Sequence, residues 1–198
     1  HVGALVGIGT KSLRERDAAG DFVKLFHAGL LARQVRNADG LQALLTGYFR
    51  VPVRVEQFVG HWMRLPESDR TRLGSGTAGA QLGVGTVLGG RVWDRQHRAR
   101  IRLGPLTLAQ YEAFLPGGTA LPRLVALVRH YLCFELDWDA RLALKRAEVP
   151  RTRLGRFGRL GWTTWLGCPR VSYDPDPLIL HAEDVLARPA HAGSAAAA

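Results

Sequence analysis

The string Arg-Thr-Arg-Leu-Gly occurs twice in this chain, as Arg70-Thr71-Arg72-Leu73-Gly74 and as Arg151-Thr152-Arg153-Leu154-Gly155. Two Leu-Gly steps follow each copy. After the first they are Leu82-Gly83 and Leu88-Gly89; after the second, Leu160-Gly161 and Leu166-Gly167. Four residues separate the paired steps in both places. A shared pentamer with equal downstream spacing points to an internal duplication. Leu-Gly steps let the backbone turn tightly while each leucine anchors its turn in a core. A duplicated unit also offers two similar surfaces to two similar partners, which suits assembly better than catalysis.

The hydrophobic period changes along each copy. Phe22, Leu25, Phe26, Leu30 and Ala32 predict a helix over Asp21 to Arg36, after a Gly-rich extended or loop segment from His1 to Arg16. Asn37-Ala38-Asp39-Gly40 stops that helix and caps the next, from Leu41 to Tyr48. Val51, Val53 and Val55 then alternate with Pro52, Arg54 and Glu56, as in a half-buried strand. Pro66 to Asp69 is a turn, and Gly74 to Gly90 is too rich in glycine for a regular helix. Arg91 to Asp94 and Arg98 to Leu103 read as strands that would form a hairpin. Thr107 caps a helix over Leu108 to Leu115, which Pro116-Gly117-Gly118 ends. Leu121, Leu124, Val125, Val128 and Leu132 predict a helix over Leu121 to Tyr131, with Pro122 tolerated in its first turn. Phe134 to Trp138 and Arg141 to Leu144 read as two further strands.

The expected fold is α+β, two related small lobes built from a helix, β strands and Leu-Gly-rich loops. The expected boundaries are an N-terminal segment over 1–40, a first lobe over 41–118 and a second over 119–167. A tail over 168–198, Pro-, Ala- and His-rich from Pro175, is expected to lack order.

Of the 198 residues, 46% are apolar and 22% charged, the balance of a folded soluble protein. No apolar run reaches the ~18–20 residues of a membrane span. The start at His1, without methionine or a leader pattern, reads as internal, with a preceding part of the protein missing. The net charge of +10 is carried by arginine; Lys11, Lys24 and Lys145 are the only lysines. Arginine suits bidentate pairing with carboxylates and packing at interfaces, so the charge reads as a solvated surface or as partnership with an acidic protein. A basic nucleic-acid-binding module is the alternative, but no uniform basic run accompanies the charge. Cys133 and Cys168 lie far apart with no CxxC partner and read as reduced thiols of a cytoplasmic protein, not a zinc site.

The chain offers no catalytic constellation and implies no cofactor or metal. Gly90 is followed by Arg91-Val92-Trp93-Asp94, where a phosphate loop would need Lys-Ser/Thr and a helix. Asp94 and His97 read as a turn hydrogen bond or surface pair, since no nucleophile accompanies them. Glu135, Asp137 and Asp139 alternate on one strand face, as a solvated acidic face or as partners of arginines such as Arg141. Trp62, Trp93 and Trp138 are expected in the core. Trp162 and Trp165 stand in the short loop Gly161 to Gly167, which would present one of them to a partner. Candidate partner-binding residues are therefore Trp162, Trp165, Leu160 and Leu166, with Leu82 and Leu88 at the equivalent first-copy loop.

Several segments together resemble one family. Arg50 to Trp62 resembles a VPVxVxQFxGxW segment of TssG, also called ImpH or VasB, and Leu88 to Gln96 resembles its LGxRVWDRQ. Leu103-Gly104-Pro105-Leu106 and Phe114-Leu115-Pro116-Gly117-Gly118 are similar to its LGPL and FLPGG. Leu160 to Leu166 with Leu154-Gly155 resembles its closing LGWTTWL. Order and spacing agree from about Val2 to Leu166. The tail after Gly167 and the family's N-terminal portion have no counterpart. The resemblance implies a non-enzymatic wedge subunit of a bacterial type VI secretion baseplate, cytoplasmic at the inner face of the inner membrane. It implies a hub that binds TssF, two copies to one, and TssK trimers, without nucleic acid or membrane insertion.

Overall fold

The computed structural model describes residues 1–72, 83, 86–152, 158–165 and 173–187. Two compact units are formed, one by His1–Gln57 with Ala99–Ala198 and the other by Phe58–Arg98.

The first unit begins with α1 (Val2–Leu5) and a short 3-10 turn over Lys11–Leu13, where the sequence predicted only loop. The helix expected from Asp21 to Arg36 is two short helices, α2 (Asp21–Phe26) and α3 (Ala28–Leu31), broken at His27. Next comes α4 (Ala38–Phe49). The Asn37 side chain accepts the Gly40 N–H, so the polar cluster read as a restart signal caps this helix. Helix α4 ends where Arg50 turns left-handed at φ 53°.

Strand β1 (Val53–Glu56) pairs antiparallel with a long strand whose range is Arg98–Leu106. That strand, β4, alternates strictly. Ala99, Ile101 and Leu103 are buried, while Arg98, Arg100 and Arg102 stand on the other face. The capping box of Thr107 and Gln110 starts α5 (Leu108–Ala113). Helix α6 (Ala120–Leu132) follows and turns Leu121, Leu124, Leu127, Val128 and Tyr131 into the core. One strand, β5 (Asp137–Leu144), replaces the two expected there. Phe134 lies outside it and is exposed. The four-stranded sheet has the order β1-β4-β5-β6, its last strand being β6 (Leu178–Leu180). Helix α7 (Ala182–Ala187) completes the described chain.

The last two elements correct the expectation of an unordered tail for residues 178–187. Glu183 is the anchor. One carboxylate oxygen accepts the Trp138 indole N–H at 2.7 Å, and the group also pairs with Arg129. Composition hid this because the anchoring contacts are side-chain bonds to positions 45 and 54 residues earlier. Segments 41–118 and 119–167 both contribute to one hydrophobic cluster, joined by α4, α5, α6, β4 and β5. The repeat residues Leu73-Gly74 and Leu154-Gly155 lie outside the described residues, so the duplication remains an expectation from sequence.

The second unit is a two-stranded antiparallel ribbon, β2 (His61–Arg64) and β3 (Arg91–Asp94), with His61 opposite Asp94 and Trp62 opposite Trp93. The hairpin expected between Arg91–Asp94 and Arg98–Leu103 is thus not formed. Each of those strands takes its partner from residues 53–64 instead.

Candidate interaction surface

The functional residues expected from sequence fall on two separate places. Leu160, Trp162 and Trp165 belong to the first unit and Leu88 to the second; Leu82 and Leu166 lie outside the described residues.

In the first unit, residues 159–165 form a tight turn. The Trp162 and Thr163 N–H groups both donate to the Arg159 carbonyl at 2.9 Å, and the Thr163 hydroxyl accepts the Arg159 N–H at 2.8 Å. Gly161 sits at φ +77°, where a side chain would strain the turn. The turn projects Leu160, which is 90% exposed. The two tryptophans do not project. Both are half-buried and pack against the core. Tyr111 holds them from below: its hydroxyl donates to the Trp162 carbonyl at 3.1 Å, and its ring lies 6.0 Å from that of Trp165. Burial pushes the Tyr111 hydroxyl up to about 12, so it remains a donor at any physiological pH. Thr152 closes the back of the turn, donating to the Trp165 carbonyl at 3.1 Å. Trp162 also walls a groove of about 330 Å³ with Leu178, Ile179, Leu180 and Val185. The sequence led one to expect an indole outermost in this loop, and the structure puts Leu160 there. The indoles are support, and the flanking leucine is the tip.

In the second unit, Trp62 and Trp93 are exposed, not core as expected. Their rings meet edge to face at 5.3 Å across the ribbon. A two-stranded ribbon has no second layer among the described residues, so neither indole has a core to enter. Phe58, at φ 57°, and Leu88 are exposed in the same unit. Asp94 anchors the turn after β3. Its carboxylate accepts the His97 N–H at 3.0 Å and the Gln96 N–H at 3.3 Å, and the His97 imidazole lies at 3.1 Å. This is the turn hydrogen bond that sequence suggested. The His97 N–H is the main reason the Asp94 carboxyl falls to about 2. A carboxyl depressed on folding supports the fold above its unfolded value of 3.8, and that support fades as pH falls towards 2. Carbon-detected NMR titration of Asp94 is expected to give a midpoint near 2; a midpoint near 4 would show that the turn does not persist in solution.

Several arginines of the first unit are engaged by carboxylates. Arg100 holds buried Asp139 through bonds of 2.6 and 3.0 Å. Arg141 and Arg102 converge on Asp176 at 3.0 and 2.7 Å. Asp139 therefore pairs with an arginine, as one of the two expected readings had it, but the arginine is Arg100 and Arg141 takes Asp176; Glu135 and Asp137 are exposed. The strand twist and the β4-β5 neighbourhood decide the partner, and both are invisible to local spacing. Among the described residues, no group of three or more His, Cys, Asp or Glu side chains could hold a metal ion. No described helix is long and apolar enough to cross a membrane.

Residues 1–167 match the family described as type VI secretion, TssG. No curated protein matches. A chain in the cryo-electron microscopy structure of the type VI secretion system TssK-TssF-TssG baseplate subcomplex shares the fold, with a TM-score of 0.63 and 23% identity. The similarity covers 80% of this chain and 65% of that one. A chain in the baseplate complex from the type VI secretion system is similar with a TM-score of 0.55 and 24% identity, over 88% of this chain and 48% of that one. The chain thus spans less than two thirds of the length of either.

Proposed function

The chain belongs to the TssG family of type VI secretion, and from that premise we propose that it is a structural subunit of a baseplate, not an enzyme. It acts as a hub that binds TssF, two copies to one, and TssK trimers, in the cytoplasm at the inner face of the inner membrane. The observation that carries this reading is the family match over residues 1–167, most of the described chain. The exposed Trp62–Trp93 pair supports it, because two adjoining indoles left in water are the kind of apolar surface that a partner covers. The use of arginine for pairing with carboxylates supports a protein partner over nucleic acid.

Co-expression with TssF and TssK of the same organism tests the reading. A complex of the three that survives size-exclusion chromatography is expected. Failure to retain either partner, together with salt-sensitive binding to arbitrary DNA, would instead favour a basic nucleic-acid module.

Within this reading, the turn at 159–165 holds a TssK trimer through Leu160, with Trp162 and Trp165 shaping its base. The Leu82 to Leu88 segment holds a second. Leu160→Ser should lower TssK occupancy in native mass spectrometry, by ~2 kcal/mol if the leucine is a true anchor. Its thermal midpoint should stay that of the parent. Trp165→Ala should instead cost stability, about 2 kcal/mol for a half-buried indole. Full TssK occupancy in folded Leu160→Ser would sink the docking assignment.

A further inference from the structure

Helix α2 is amphipathic in the inverted sense. Phe22, Leu25 and Phe26 stand at i, i+3 and i+4, the spacing that places them on one helical face. That face is turned outward: Phe22 is 80% exposed and Phe26 77%. Turned inward are Val23, which packs against the core, and Lys24, only 3% exposed. Its ammonium lies 2.6 Å from Asp17 and 3.5 Å from Asp21. A chain folding for itself alone would bury the phenyl rings and leave the lysine in water, because a buried cation must be desolvated and then paired.

The surroundings are polarised too. Asp17 and Asp21 are both committed inward. Asp17 also accepts the Ala19 N–H at 3.1 Å, and Asp21 the Glu15 N–H at 3.0 Å. Lys11, Arg14 and Arg16 stay at the exposed surface, against the single exposed Glu15. Arg14, Asp21 and Leu25 line a groove of about 540 Å³ whose other walls include Gly3 and Ala4 of α1, and Ile8. Asp21 is already engaged by Lys24 and the Glu15 N–H, so the surface is an apolar ridge and a groove with a basic rim at Arg14.

We infer that α2 is a docking helix for a second protein, whose matching element is an amphipathic helix with an apolar stripe flanked by carboxylates. The basic rim selects the partner's charge. A second copy of this chain would bring Lys11, Arg14 and Arg16 against themselves. The concave groove beside Leu25 accepts a protruding side chain, which a flat lipid surface does not offer. This inference rests on the assembly role proposed above.

The test uses the chain co-expressed with TssF and TssK. A photoreactive benzoyl-phenylalanine in place of Phe26 is expected to cross-link to a partner helix with apolar residues at i, i+3 and i+4 and Asp or Glu beside them. Phe22→Ser with Phe26→Ser should weaken association at least ~10-fold, as loss of a hydrophobic anchor does. The midpoint of the isolated chain should stay within about 2 °C, because exposed side chains contribute little to the fold. Arg14→Glu with Arg16→Glu should weaken association as well. Cross-linking to a second copy, or unchanged association of the double serine variant, would overturn the inference. So would co-sedimentation of the chain with phosphatidylglycerol vesicles that the serine variant loses. A parent chain that assembles with neither TssF nor TssK would overturn the baseplate reading itself and this inference with it; a normal complex indifferent to Phe22 and Phe26 would overturn this inference alone.

Discussion

Asp139→Ala is expected to lower the stability of the fold by about 3 kcal/mol, the low end of what breaking a buried ion pair costs. Asp139 is 1% exposed and sits on the inner strand β5. Its two carboxylate oxygens receive Nε and Nη2 of Arg100, a fork-to-fork geometry that adds direction to charge. The bond to Asp139 raises the Arg100 pKa, with Glu56 adding a smaller pull in the same direction. Removing the aspartate leaves a cation that keeps only about a fifth of its side-chain exposure. Glu56 and that remnant of solvent soften the loss, which places the expected value low in the range. Urea denaturation followed by circular dichroism would read it. Replacing both partners, as Asp139→Leu with Arg100→Met, should recover most of the loss, since apolar isosteres avoid desolvating two charges. A single-variant effect below about 1 kcal/mol would mean that the pair is solvated and structurally idle.

Leu124→Ala should cost about 2–5 kcal/mol, the range for truncating a fully buried leucine in a close-packed core. Leu124 has no exposed surface and lies mid-way along α6. The cluster it joins takes residues from α4, α5, β4, β5 and β6, that is, from both sides of the boundary expected near residue 118. The consequence for unfolding is specific. If one core serves both segments, amides of α4 and of β5 should lose hydrogen-exchange protection together in the variant. If two lobes fold separately, only the amides around α6 and β5 should lose it, and α4 should keep the protection of the parent. Hydrogen exchange on both proteins under native conditions separates these outcomes.

Much of the fold was legible because it obeys local rules. Asn37 and Thr107 cap their helices through side-chain bonds to residues three positions on. The arginine-apolar alternation of 98–103 commits one face of β4 to the core whatever lies opposite. The family resemblance was legible for a related reason. Motifs such as Leu160-Gly161-Trp162-Thr163-Thr164-Trp165 encode a turn closed by bonds within residues 159–164, which Tyr111 and Thr152 then brace from outside.

Sequence by itself determined the α+β class, the main helices and strands, and the family. Each rests on short-range geometry or on motif order. Tertiary structure alone decided the rest. Which strand pairs with which is set by chain reversal over tens of residues, so Arg91–Asp94 took His61–Arg64 as its partner. An indole is equally at home in a core or at an interface, and only the number of layers around Trp62, Trp93 and Trp138 separates the two fates. The same holds for α2. Its spacing marks an apolar face, but the neighbours that bind Lys24 decide that this face looks outward. Burial is a property of the whole packing, and period reports only which residues share a side.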